Sequence, residues 1–154
     1  MTKVFVDSSV LFSACYSSTG ASREIIRKAI SREIKLVISK HIIEEVERNL
    51  EKDAPYVIPT FQQFLSLVPF KVVRPTKQEV EKATNCVALK DAPILAAARQ
   101  AKADYLVSLD THHLVGVPKV VDCAEVEIVL PGEFLKRIEK LENVLTELIF
   151  QFPE

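Results

Sequence analysis

Short apolar runs alternate with amphipathic helical stretches along this chain, and that alternation restricts the fold more than any other feature. Val4, Phe5 and Val6 form the first run; further strand-like runs lie at 35–38, 70–73 and 105–108. Shorter β candidates follow at 119–121 and 126–129. Most of the intervening segments are long enough to be helical crossovers, which parallel strands require and hairpins do not. The pattern predicts an α/β chain, a three-layer α/β/α sandwich on a mainly parallel sheet. With 154 residues it reads as one domain, 1–154, long enough to bury about 68–70% of its unfolded surface.

The helices are punctuated locally. Ser22 is placed to cap a helix running to about Arg32, with Ile25, Ile26, Ala29 and Ile30 on one face. Ser39 caps the next, which buries Ile42, Ile43, Val46 and Leu50 and ends at Ala54-Pro55. Pro59 suits the first turn of a helix carrying Phe61, Phe64, Leu65 and Val68. Thr76 caps a helix to about Val87, and Pro93 opens an alanine-rich one whose small side chains permit a central position. After Pro131-Gly132 a long terminal helix, 132–152, presents Phe134, Ile138, Leu141, Leu145, Leu148 and Phe152 at steps of four and three. Its first turns are expected to pack on the domain. Its later turns offer a surface for a homodimer or another protein.

Two strands end in an acid. Asp7 follows Val4-Phe5-Val6, and Asp110 follows the run at 105–108. In open α/β sheets the chemistry sits outside the carboxyl ends of the strands. Asp91 opens the alanine-rich helix, and Glu45 lies in the helix after the second strand, so four carboxylates share one sheet edge. Asp7 and Asp91 also stand where a helix N-cap belongs. Glu45, beside Val46, borders the buried stripe; Glu44 does not, and Glu47 competes on angle alone. Crowded carboxylates repel, so the group calls for a cation. Oxygen ligands favour Mg²⁺ or Mn²⁺. The same repulsion implies that Asp110→Asn stabilises the metal-free chain.

A net charge of −1 excludes bulk attraction to nucleic acid but not a local basic patch. The three cysteines, Cys15, Cys86 and Cys123, show neither a disulfide framework nor zinc spacing and read as reduced. Met1 leads straight into a strand with no signal peptide, and no stretch is long enough to span a membrane. The expected location is cytoplasmic.

The motifs resemble those of PIN-domain nucleases. Residues 4–11 (VFVDSSVL) are similar to that family's opening motif, 39–46 (SKHIIEEV) to its second, 91–98 (DAPILAAA) to its third and 106–110 (LVSLD) to its fourth. The ending 126–135 (VEIVLPGEFL) resembles its last strand and helix start. Ser8-Ser9 stands where Thr-Asn is common, and Ser108 where Thr is usual; both changes keep a hydroxyl.

The resemblance implies a metal-dependent endoribonuclease acting on single-stranded or structured RNA. Small members, the VapC-like proteins, are toxins of type II toxin–antitoxin pairs and commonly dimerise, so a small antitoxin protein is an implied partner. Asp7, Asp91, Asp110 and Glu45 are the implied catalytic residues and metal ligands, with Ser8 and Ser108 orienting them. A PIN-like module that binds RNA or protein without cleaving has no need of all four acids. A receiver-like phosphoacceptor domain would want paired acids after its first strand, where Asp7 stands alone.

Other residues read mainly as surface. His112 and His113 follow Asp110 as a loop pair, with a phosphate contact as the alternative. His41 lies one helical turn before Glu45. Lys90, Arg23, Lys40 and Arg99 are candidate phosphate contacts. Tyr16 and the loop 17–20 lie near the first acid, where a base is guided or stacked.

Overall fold

The computed structural model describes residues 1–151. In chain order it forms β1 (Lys3–Val6), α1 (Ser8–Tyr16), α2 (Ala21–Ile30), β2 (Lys35–Ser39), α3 (Lys40–Asp53), a 3-10 turn (Pro55–Val57) and α4 (Ile58–Leu67). There follow β3 (Lys71–Val73), α5 (Lys77–Ala83), α6 (Ala92–Gln100), β4 (Tyr105–Val107), α7 (Pro118–Cys123), β5 (Glu127–Val129) and α8 (Pro131–Gln151). The sheet has the order β3-β2-β1-β4-β5, and every adjacent pair is parallel.

Val4, Phe5 and Val6 are 0% exposed, and Leu36, Val37 and Ile38 are equally buried. Strands apolar on both faces need a helical layer on each side, which is the sandwich that the alternation predicts. The alanine-rich α6 is shared between two clusters. Ile94, Ala97 and Ala98 pack into the main core, while Ala92, Leu95 and Ala96 join a smaller one with Ala83, Leu114 and Val120.

The chain builds outward from β1 to β2 and β3, then returns to the other flank for β4 and β5. The topological switch therefore lies between β1 and β4, where open α/β sheets leave a crevice. Val6 pairs with Val107 in register, so Asp7 and Ser108 emerge side by side at that crevice.

Several local expectations change. The segment 119–121 lies in helix α7, because Pro118 in its first turn starts a helix and Val120 turns into the smaller core. Helix α2 starts at Ala21 behind Gly20, so Ser22 lies inside its first turn and does not cap it. Helix α5 ends at Ala83, short of Val87, in a turn bonded from Cys86 N to the Ala83 carbonyl. Cys86 and Cys123 form a disulfide across 37 residues, so only Cys15 among the three is free, and it is buried.

In α8, Phe134 and Ile138 are buried, with the Phe134 ring edge-on to Tyr105 at 5.3 Å. Leu141, Leu145 and Leu148 are exposed. Phe152, the last residue of the apolar seam, lies outside the described residues. No helix among the described residues is long and apolar enough to cross a membrane.

Candidate metal centre

Asp7 ends β1 and caps α1 at once. One carboxylate oxygen accepts from Ser9 Oγ and from Val10 N at 3.3 Å, and the other accepts from Ser108 Oγ. Ser108 Oγ also accepts from Asp110 N at 3.0 Å, and Ser9 Oγ accepts from Leu109 N at 3.1 Å. Two hydroxyls thus tie the ends of β1 and β4 together through one carboxylate. Ser108, one of the two serines read as orienting residues, bonds Asp7 directly. Its counterpart is Ser9, and Ser8 makes no hydrogen bond to these acids among the described residues. An N-cap side chain turns back over its own helix, which favours Ser9 over its neighbour. Burial pushes the Asp7 carboxyl above the usual carboxylate range, the Glu45 charge adds to this, and the bonds from Ser108, Ser9 and Val10 only partly offset it.

Asp91 occupies the N-cap position of α6, yet its side chain caps nothing. The residue is buried, and its Oδ2 has no hydrogen-bond partner among the described residues. Burial raises its carboxyl above the ordinary value; the Lys90 ammonium and His113 oppose this, and the Asp110 and Glu45 charges reinforce it.

Asp110 differs. Its Oδ1 accepts from the amides of His112 and His113 at 3.0 and 2.9 Å, and its Oδ2 lies 3.1 Å from His113 Nδ1. Burial pushes this carboxyl up, but the bonds from the His113 amide, the His113 ring and the His112 amide together outweigh it and hold it low.

Ligand atoms of Asp91, Asp110 and His113 all lie within 4.8 Å of one another. Asp7 is not among those three residues; its Oδ2 accepts one hydrogen bond, from Ser108 Oγ. Glu45 contributes a buried Oε2 without a hydrogen bond among the described residues, 3.8 Å from His41 Nε2. Glu47 lines a separate hollow with Leu50 and Phe61.

His113 is thus part of the cluster, against its reading as loop surface. The turn closed on Asp110 Oδ1 brings the ring back to the carboxylate it follows, and an Asp-x-x-His spacing in a loop is the signal for it. Among the candidate phosphate contacts, Lys90 Nζ reaches His113 Nδ1 at 3.4 Å and stands at the rim of the cluster. Arg23 and Arg99 bond backbone carbonyls, of Ala14 and of Cys123 and Ala124, and Lys40 pairs with Glu44.

Two buried carboxylate oxygens without partners, beside a lowered carboxylate and an imidazole, form a donor set suited to a divalent cation. Carboxylates accept Mg²⁺ and Mn²⁺ alike, and the imidazole shifts the preference toward the transition metal.

A family model described as "PIN domain" matches residues 3–112. Among solved structures, the chain is similar to PAE2754 from Pyrobaculum aerophilum, at 21% identity and TM-score 0.63, over 90% of each chain. It is similar to VapBC2 from Rickettsia felis, solved bound to a DNA fragment from their promoter, at 11% identity and TM-score 0.62, over 82% of this chain and 97% of that one. VapC20 from Mycobacterium tuberculosis, a Sarcin-Ricin loop cleaving toxin, aligns at 19% identity and TM-score 0.50, over 71% of this chain and 91% of that one. At such identities the likeness establishes the fold alone. Comparison with curated proteins gives no significant match.

Proposed function

Since the chain belongs to the PIN-domain family, we propose that it is a Mg²⁺- or Mn²⁺-dependent endoribonuclease that hydrolyses phosphodiester bonds of RNA, and that it is the toxin of a toxin–antitoxin pair. One observation carries the reading. Asp91 stands at a helix start without capping it, and offers a buried, unbonded oxygen to the space it shares with Asp110 and His113. A helix-start acid with only a structural role would bond the amides of its first turn.

In this reading Asp7, Asp91 and Asp110 hold the cation with His113 beside them, and Glu45 is a further ligand or the group that orients a water. The bound ion would supply charge stabilisation at the phosphoryl oxygens and a nucleophilic water at neutral pH. Asp7, fixed by Ser9 and Ser108, keeps the ends of β1 and β4 in register beneath the site. Lys90 places a cation at its rim, suited to a phosphate oxygen.

The toxin reading draws on the VapBC2 and VapC20 likenesses. Incubation with labelled single-stranded RNA should give cleavage in Mn²⁺ that stops in excess chelator and returns when Mn²⁺ is restored. Cleavage that persists in chelator would remove the metal from the account. No cleavage of single-stranded or structured RNA would favour a PIN-like module that binds without cutting.

A homodimer through the distal half of α8 completes the proposal. Leu141, Leu145 and Leu148 lie at steps of four and three with Val144 beside them, and all four are exposed. Burying such side chains is worth roughly 1.5–3 kcal/mol each, so losing two should shift a micromolar equilibrium strongly. Leu145→Glu with Leu148→Glu should give a folded monomer by light scattering. A double variant that stays dimeric would place the contact elsewhere.

A further inference from the structure

A groove of about 600 Å³ opens beside the acidic centre. Ser13 of α1, Ser17 just after it, Ser22 of α2, Leu109, Leu130 and Lys136 line it. It is continuous with the site, because Leu109 stands between Ser108 and Asp110 and its amide donates to Ser9 Oγ. Ser9 and Ser13 lie four residues apart on α1, so their hydroxyls share the side of the helix that runs from Asp7 toward the groove.

Ser22 points to an occupant. The residue is only 6% exposed and lines the groove, yet its hydroxyl makes no hydrogen bond among the described residues. The hydroxyl opens on the groove and is free to donate to, or accept from, a partner that enters it. It sits in the first turn of α2, whose N-cap Gly20 supplies no side-chain cap. The start of α8, at Pro131 and Gly132, lines the same groove. Two helix N-termini at one groove favour an anion.

Lys136 adds a charge and pairs with no acid among the described residues, whereas the one acid of the lining, Glu133, is held by Arg137 Nε at 3.1 Å. The exposed side chains of Leu109 and Leu130 give the same groove an apolar wall. An anion-favouring floor beside apolar side chains suits a nucleotide, with its charged phosphate and flat base.

We infer that this groove carries the RNA strand next to the scissile phosphate. Ser22 Oγ and the first-turn amides of α2 and α8 take a phosphate oxygen, Lys136 neutralises it, and Leu109 and Leu130 pack against a base. The inference rests on the nuclease reading and adds the direction in which the strand leaves the site.

Three variants test it. Lys136→Glu should raise KM for an oligoribonucleotide about tenfold in Mn²⁺ with kcat within about twofold, and Ser22→Ala should raise it about threefold. Gly132→Leu should raise KM by obstruction, since a Cβ there meets nothing within 4 Å and the fold accepts it. Hydrolysis of bis(p-nitrophenyl) phosphate, too small to reach the groove, should be unchanged in all three. Lys136→Ala should reduce the slope of log affinity against log salt by about 0.7, the release expected from one phosphate contact on a single strand.

Wild-type RNA cleavage with KM and salt slope unmoved in these variants would overturn the groove and leave the nuclease standing. Should the wild type cleave no RNA, the nuclease reading itself fails. Fluorescence anisotropy of a labelled oligoribonucleotide in chelator then decides the groove: tenfold weaker binding by Lys136→Glu supports it, and equal binding overturns it.

Discussion

Asp91→Asn should lower kcat for RNA cleavage at least about 10³-fold, or about 4 kcal/mol of barrier, while making the metal-free protein more stable at neutral pH. The two effects have one origin. Burial, reinforced by the charges of Asp110 and Glu45, holds the Asp91 carboxyl above its ordinary value despite Lys90. A raised carboxylate means that the folded chain binds the proton more tightly than the unfolded chain. The stability contributed by that proton is complete below the ordinary carboxylate pKa of about 3.9, and is lost as pH rises through the raised value. Asparagine removes the charge, so its gain in melting temperature should be present at pH 7 and shrink toward pH 4. Added Mn²⁺ should raise the wild-type melting temperature by mass action and raise that of the variant much less.

Asp110→Asn should behave in the opposite sense, contrary to the expectation that this substitution stabilises the metal-free protein. The bonds from His112 and His113 hold the Asp110 carboxyl below its ordinary value. Its stability contribution is present above the ordinary carboxylate pKa and is lost only as pH falls through the lowered one. At pH 7 this variant should therefore melt lower than the wild type without metal. Thermal scans in chelator at pH 7 and pH 4 separate the two acids. An Asp91→Asn protein that cleaves RNA at the wild-type rate would reduce Asp91 to a helix-start residue.

What the sequence made legible is what local chemistry decides. Val4-Phe5-Val6 before Asp7, and Leu106-Val107 before Asp110, place both acids at strand ends because an apolar run in an alternating chain can only be an inner strand. Ser39 and Thr76 cap their helices, and Pro93 sits in a first turn, because these preferences act within four residues. Helical periodicity sets Glu45 above Glu44 but leaves Glu47 competing on angle; the structure separates those two, with the Glu45 Oε2 buried and Glu47 lining a hollow with Leu50 and Phe61.

What stayed hidden depends on chain paths that local pattern does not encode. His113 reaches Asp110 only through the turn that the Asp110 carboxylate itself closes. Ser9 replaces Ser8 beside Asp7 by the pitch of one helix start. Val120 and Val121 read as strand from their branched side chains, but Pro118 and the smaller core decide for helix. That tertiary context overrides propensity is the general rule for short segments.

The Cys86–Cys123 bond is the largest of these hidden constraints, and its removal should have the largest effect on stability. The pair closes a loop spanning 37 residues of separation. In the chain-entropy account, opening such a loop costs about 4 kcal/mol. For a chain of this size that corresponds to a fall in melting temperature of roughly 10 °C. Cys86→Ser with Cys123→Ser should show that fall by calorimetry. The wild type in strong reductant should drop toward the same value, and the double variant should ignore reductant.

The consequence reaches the acidic cluster. Cys86 lies shortly before Asp91, and Cys123 ends α7 beyond the turn that holds Asp110 and His113, so the bond ties together the two segments that carry the cluster. The double variant should therefore gain less from added Mn²⁺ than the oxidised wild type, because its ligands are less fixed before the ion arrives. Equal melting temperatures with and without reductant would show that α5, α6 and α7 are held by the packing of Ala83, Leu95 and Leu114 alone.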